Sequence, residues 1–142
     1  MPRFVPEGHN VVSPYVHATD VRKLVAFLEE TLGAKEVLRL AMPDGEVVHA
    51  EVKVGDSTIM MGHPSEERRV RAQVHVYVED CDATYARAVS FGATSMRPPQ
   101  DMFYGDRVAS VKDAWGNEWF FSTHKEDVLP EEMQRRMLAP NG

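Results

Sequence analysis

The chain has 142 residues, 43% of them hydrophobic, a net charge of −6 and a single cysteine. That length and apolar content suit one compact unit burying its own core, and an acidic balance without a basic cluster excludes nucleic acid as a partner. Cys81 alone rules out an intramolecular disulfide, and no apolar run approaches the ~18 residues of a membrane span, so a cytoplasmic protein away from membranes is expected.

Met1 to Gly8 is read as an irregular arm. Asn10 to His17 is a strand that Pro14 restricts to an edge or a bulge. Thr19 or Asp20 caps a helix from Val21 to Leu32, with Leu24, Val25, Phe27, Leu28 and Leu32 on one face and Gly33 as its stop. Lys35 to Ala41 is a strand, Met42 to Gly45 a turn, Glu46 to Val54 a strand, and Ser57 to Met61 another. His63 to Arg71 is polar and reads as a linker, its arginines solvated.

The order then repeats. Ala72 to Val78 alternates as a strand, Glu79 to Asp82 caps a helix through Val89, and Gly92-Ala93 echoes Gly33-Ala34. Thr94 to Arg97 is a short strand and Pro98 to Tyr104 a loop. Two alternating runs, Gly105 to Lys112 and Glu118 to His124, flank the turn Asp113-Ala114-Trp115-Gly116-Asn117. In the last run Trp119, Phe121 and Thr123 share one face, and Glu118, Phe120, Ser122 and His124 the other. A face carrying Glu and His looks into a cavity or solvent. Ser13 to Gln73, Gly33 to Gly92 and Gly55 to Gly116 are offset by 60, 59 and 61 residues. Three landmarks at nearly one offset predict a duplicated unit.

The fold class expected is therefore α+β: two βαβββ modules, residues 9–62 and 72–124, forming a cupped sheet within a single domain spanning 1–142. The linker is 63–71. Residues 125–142 form a C-terminal helix and tail, with Pro130 at the first turn and Met133, Met137 and Leu138 at helical spacing.

Paired βαβββ units with Asp113-Ala114-Trp115-Gly116-Asn117-Glu118-Trp119 before the last strand resemble the vicinal oxygen chelate superfamily. This group holds glyoxalase I, extradiol dioxygenases and the fosfomycin- and bleomycin-resistance proteins. Asp44-Gly45, His49-Ala50-Glu51, Tyr104-Gly105-Asp106-Arg107 and His124 resemble its PhnB-like subgroup. Metal-using members take four ligands from the first and last strands of the two units. The resemblance puts Ser13, Ile59 or Met60, Gln73 and Phe120 at those positions. A hydroxyl, an amide, a hydrocarbon and a ring are poor donors for a divalent ion, so no metal and no cofactor are expected. The ligands could instead sit at shifted positions: His17, His49, Glu51, His75, Glu118 and His124.

The ligand-binding residues expected are Ser13, Tyr15, His49, Glu51, Gln73, His75, Tyr104, Arg107 and Phe120. Arg107 offers a fork for a carboxylate or phosphate, or else pairs with Asp106 or Asp113. Tyr15, Tyr77, Tyr104, Phe103 and Phe120 form an aromatic wall or plain core. Cys81 lies among acids that raise its pKa and leave it unreactive, and His9 and His63 lie at exposed segment ends.

Two functions follow. One is a metal-independent protein of the glyoxalase/bleomycin-resistance type that holds a small molecule in the cavity of its paired modules, as a homodimer. The other is a lyase or isomerase in which His49, Glu51 or His75 abstracts a proton while Arg107 steadies an oxyanion.

Overall fold

The computed structural model describes residues 3–139. The first module is β1 (Tyr15–His17), α1 (Val21–Leu32), β2 (Lys35–Ala41), β3 (Val47–Val54) and β4 (Ser57–Gly62). The second is β5 (Gln73–Tyr77), α2 (Cys81–Ser90), β6 (Thr94–Asp101), β7 (Asp106–Lys112) and β8 (Glu118–His124), followed by α3 (Pro130–Leu138). The strands form two four-stranded sheets, ordered β1-β4-β3-β2 and β5-β8-β7-β6. In each, the first strand runs parallel to the last and the other pairs are antiparallel. Tyr15 stands opposite Met60, and His75 stands opposite Phe120. Each residue of the second pair is 60 positions beyond its counterpart, so the repeat read from the sequence is a repeat in register.

Local chemistry sets the helix ends. Asp20, rather than Thr19, caps α1 by accepting from the Lys23 amide at 3.1 Å, and Asp80 caps α2 in the same way from Ala83. Gly33 takes φ 65°, which lets its amide return to the Glu29 carbonyl and close the helix. The apolar side of α1 lies on the first sheet through Leu24, Val25 and Leu28, all fully buried. Phe27 reaches across to Trp119 of β8, with ring centroids 6.4 Å apart. The helix sides of the two sheets thus share one core, in which Trp119 and Phe121 are fully buried. Truncating either to alanine would cost about 3–5 kcal/mol.

Three expectations need correcting. First, β1 is three residues long, because Pro14 has no amide for the ladder and Asn10 to Ser13 are drawn into the arm. Second, β6 does not end at Arg97 but runs through Pro98 and Pro99 to Asp101. It is the edge strand, so prolines are tolerated, and the pairing to β7 skips between Arg97 and Gln100. Third, the linker arginines are not all merely solvated. Arg69 donates to the Trp115 carbonyl at 2.7 Å, and the Arg71 side chain packs against Gly116. The C-terminal helix α3 forms as expected and buries no residue completely. Arg136 ties it to the Phe103 carbonyl and to Glu126. No helix among the described residues is long and apolar enough to cross a membrane.

Candidate functional site

On each sheet, alternate side chains turn away from the helices and form an open face. On the first sheet Val16, Ala50, Val52, Ile59 and Met61 fill the core, so Tyr15, His49, Glu51, Met60 and Gly62 share the opposite side. There they make a hydrogen-bonded chain. The Tyr15 hydroxyl is 3.2 Å from His49 Nδ1, and His49 Nε2 is 2.9 Å from Glu51 Oε2. The other carboxylate oxygen, Glu51 Oε1, is 2.7 Å from His9 Nε2.

His9 is therefore not an exposed arm residue. The arm folds back across the first sheet because Thr58 holds it: its amide donates to Asn10 Oδ1 at 3.3 Å and its hydroxyl to the Gly8 carbonyl at 2.6 Å. Arm and sheet enclose a depression of roughly 530 Å³ lined by Phe4, Val5, His9, Leu38, Glu51 and Met60. Ser13 borders it, its hydroxyl turned to the Asn10 carbonyl. Burial pushes the Glu51 carboxyl up, but the hydrogen bonds from His49 and His9 outweigh it and hold the group below its ordinary range.

Two residues of this site were missed by the sequence reading. His9 gave no signal, because nothing local shows that the arm returns. Gly62 lies opposite His49 and His17, and a β-carbon there would collide with the Tyr15 hydroxyl. Glycine at this point is what lets the phenol lie over the sheet.

The open face of the second sheet carries Gln73, His75 and Tyr77 beside Glu118, Phe120 and Ser122. The imidazole of His75 stacks on Phe120 at 4.5 Å and 10°. Gln73 bridges His75 at 3.2 Å and Glu118 at 3.1 Å. Tyr15, His49 and Glu51 thus gather on one sheet with Ser13 in the arm beside it, and Gln73, His75 and Phe120 on the other. Tyr104 is apart from both, half-buried in the β6–β7 turn with its ring edge-on to Phe103. Burial, then Asp106, pushes its phenol pKa up.

Arg107 must be corrected. Its partner position is Thr123, on the helix side of the sheet, and its guanidinium grips Asp82 bidentately at 2.6 and 3.0 Å. Asp101 takes a third bond at 3.1 Å. The pairing is internal, but with neither Asp106 nor Asp113, and it leaves Arg107 off both open faces. Cys81 is buried; burial first and Asp82 second push its thiol pKa up.

The four positions where metal-using members carry ligands offer poor or occupied donors. The Ser13 hydroxyl is turned to the Asn10 carbonyl, Met60 offers a thioether, Gln73 bridges His75 and Glu118, and Phe120 stacks on His75. That donor set does not fit a divalent ion. Among the shifted candidates, His17 Nδ1 accepts from the Val70 amide, and His124 lies between Asp106 and Asp127 at 2.7 Å from each. His49 and His9 engage opposite oxygens of one carboxylate, so their donors do not converge. Among the described residues, no three His, Cys, Asp or Glu side chains are placed to share an ion.

The topology and the module repeat define the class of protein. The profile of the Glyoxalase/Bleomycin resistance protein/Dioxygenase superfamily matches residues 11–121, and the chain belongs to that superfamily. The uncharacterized protein Mb0911c of Mycobacterium bovis is 27% identical over 140 residues, covering 90% of this chain and 92% of that one. Among solved structures, TioX from Micromonospora sp. ML1 is similar with a TM-score of 0.69 and 28% identity, over 81% of this chain and 98% of that one. Lactoylglutathione lyase from Agrobacterium tumefaciens shares the fold with a TM-score of 0.63 at 18% identity, over 80% of this chain and 92% of that one.

Proposed function

We propose that this chain is a metal-independent small-molecule binding protein of the PhnB-like kind, holding its ligand on the open sheet faces and working as a homodimer in the cytoplasm. The observation that carries this is the depression beneath the arm. Its floor carries Glu51 and His9, the end of the Tyr15–His49–Glu51–His9 chain that reaches it, and its walls are Phe4, Leu38 and Met60. A polar strip within apolar walls orients an amphipathic, flat ligand and buries the rest of it. The second sheet adds the stacked His75–Phe120 pair, with Gln73 beside it.

A second copy is supported by what one chain leaves uncovered. Leu38 and Leu40 on the first open face and Tyr77 on the second remain exposed, Tyr77 by 71%. Setting the first face of one copy against the second face of another would bring both half-sites together and cover them.

A lyase or isomerase is the second reading, and the same chain favours it, since a carboxylate oriented by two imidazoles can accept a proton. Two facts weigh against it. The Glu51 carboxyl is held below its ordinary range, which makes it a weaker base. Arg107 is spent on Asp82 and Asp101 and offers no oxyanion contact.

Thermal-shift screening with aromatic antibiotics and glutathione adducts, followed by mass analysis of the recovered compound, tests the proposal. Stabilisation by a compound returned unchanged, weakened in Tyr15→Phe and His49→Ala, supports binding. Recovery of a product, with turnover lost in Glu51→Gln, overturns it in favour of the enzyme.

A further inference from the structure

A larger cavity, roughly 860 Å³, lies between the two modules. One wall is the last turn of α1 and the β3–β4 turn, and the other is the length of β5 with the start of α2. Its lining is mixed: Leu32, Val54, Ile59, Val74 and Val76 form an apolar strip, and Asp56, Glu79, Asp80 and Arg87 stand among the polar residues.

Two polar groups there lack the partners their chemistry calls for. Thr31 is fully buried and its Oγ1 has no hydrogen-bond partner. Such an atom is costly unless something meets it. Arg87 approaches the same spot from α2. One terminal nitrogen donates to the Thr31 carbonyl at 3.4 Å and to Thr84 Oγ1 at 3.3 Å, long bonds to neutral acceptors. Among the described residues no carboxylate pairs with Arg87. Of the acids nearby, Asp80 caps α2 through Ala83, Asp56 accepts from the Ser57 hydroxyl, and Glu79 is exposed.

We infer that this cavity binds a small organic carboxylate. The apolar body lies between β5 and the β3–β4 turn, and the carboxylate bridges Arg87 and the Thr31 hydroxyl. A guanidinium fork with open N–H groups matches the two carboxylate oxygens, and Thr31 Oγ1 supplies a third bond. The site does not depend on the open-face proposal, although His75 and Tyr77 are among its lining residues as well.

The test is a titration of the ¹⁵N-labelled chain with 2-naphthoate, read as amide shifts, beside the neutral 2-naphthamide. Naphthoate should saturably shift Thr31, Leu32, Val76 and Arg87, and naphthamide should bind about tenfold more weakly, as loss of a charge-assisted bond implies. Arg87→Gln should erase that difference. Thr31→Val keeps the side-chain volume and should weaken naphthoate while leaving naphthamide unchanged. Equal binding of acid and amide, shifts confined to His49, Glu51 and Phe120, shifts untouched by Arg87→Gln, or no saturable shift at all would each overturn the assignment.

Discussion

The side-chain amide of Asn117 donates a 2.9 Å hydrogen bond to the backbone carbonyl of His17, joining the second module's hairpin turn to the first module's opening strand. Asn117 also accepts from the Ala72 amide at 2.9 Å and donates to Asp113 at 3.0 Å. Asp113 in turn receives the Trp119 indole at 3.0 Å. The turn motif visible in the sequence is therefore a joint between modules, buried to 0% exposure at Asn117.

Asn117→Ala should cost about 2–4 kcal/mol, because it leaves the His17 carbonyl and the Ala72 amide unpaired and removes one of the two side-chain donors to Asp113 Oδ2. Urea unfolding of the two proteins measures the difference. A change below about 0.5 kcal/mol would mean the joint is not what holds the modules together.

Glu51 gives a pH dependence with a defined sign. Its folded pKa lies below the ordinary 4.5, so its contribution to stability is present above that value and is lost as pH falls through the folded pKa. Melting curves between about pH 3 and 6 should show a shallower acid decline for Glu51→Gln than for the wild type. Parallel declines would contradict the paired carboxylate.

Gly62→Ala should expel the Tyr15 phenol, since the new methyl occupies its place. The 3.2 Å contact to His49 Nδ1 would be lost, and the imidazole ¹⁵N shifts of His49 should move to match those in Tyr15→Phe. Unchanged His49 shifts would show that the phenol does not rest there.

Arg107→Gln should lower the melting temperature and leave the affinity of any compound found in the ligand screen unchanged. The guanidinium joins β7 to α2 through Asp82 and to β6 through Asp101, on the side of the sheet away from the open face. Loss of affinity with unchanged stability would return Arg107 to the ligand.

Much of the fold was legible in the residues. Apolar spacing in α1, the caps and the period-two alternation of β5, β7 and β8 are local properties, and each falls within a residue or two of where the sequence puts it. Val21–Leu32 and Lys35–Ala41 agree to the residue. The error at β6 has a physical source: prolines read locally as loop, and only position at the sheet edge makes them acceptable.

From the sequence alone came the element order and the 60-residue repeat, because helix and strand periods are written within a few residues, while the poor donor set was read at four positions that the family resemblance supplied. Tertiary structure decided that the arm returns to set His9 on Glu51, that Gly62 makes room for Tyr15, and that Arg107 turns to Asp82 instead of the open face. Those pairings span 42, 47 and 25 positions, and which of several equivalent partners a side chain meets depends on how the sheets and helices pack, which no local pattern records.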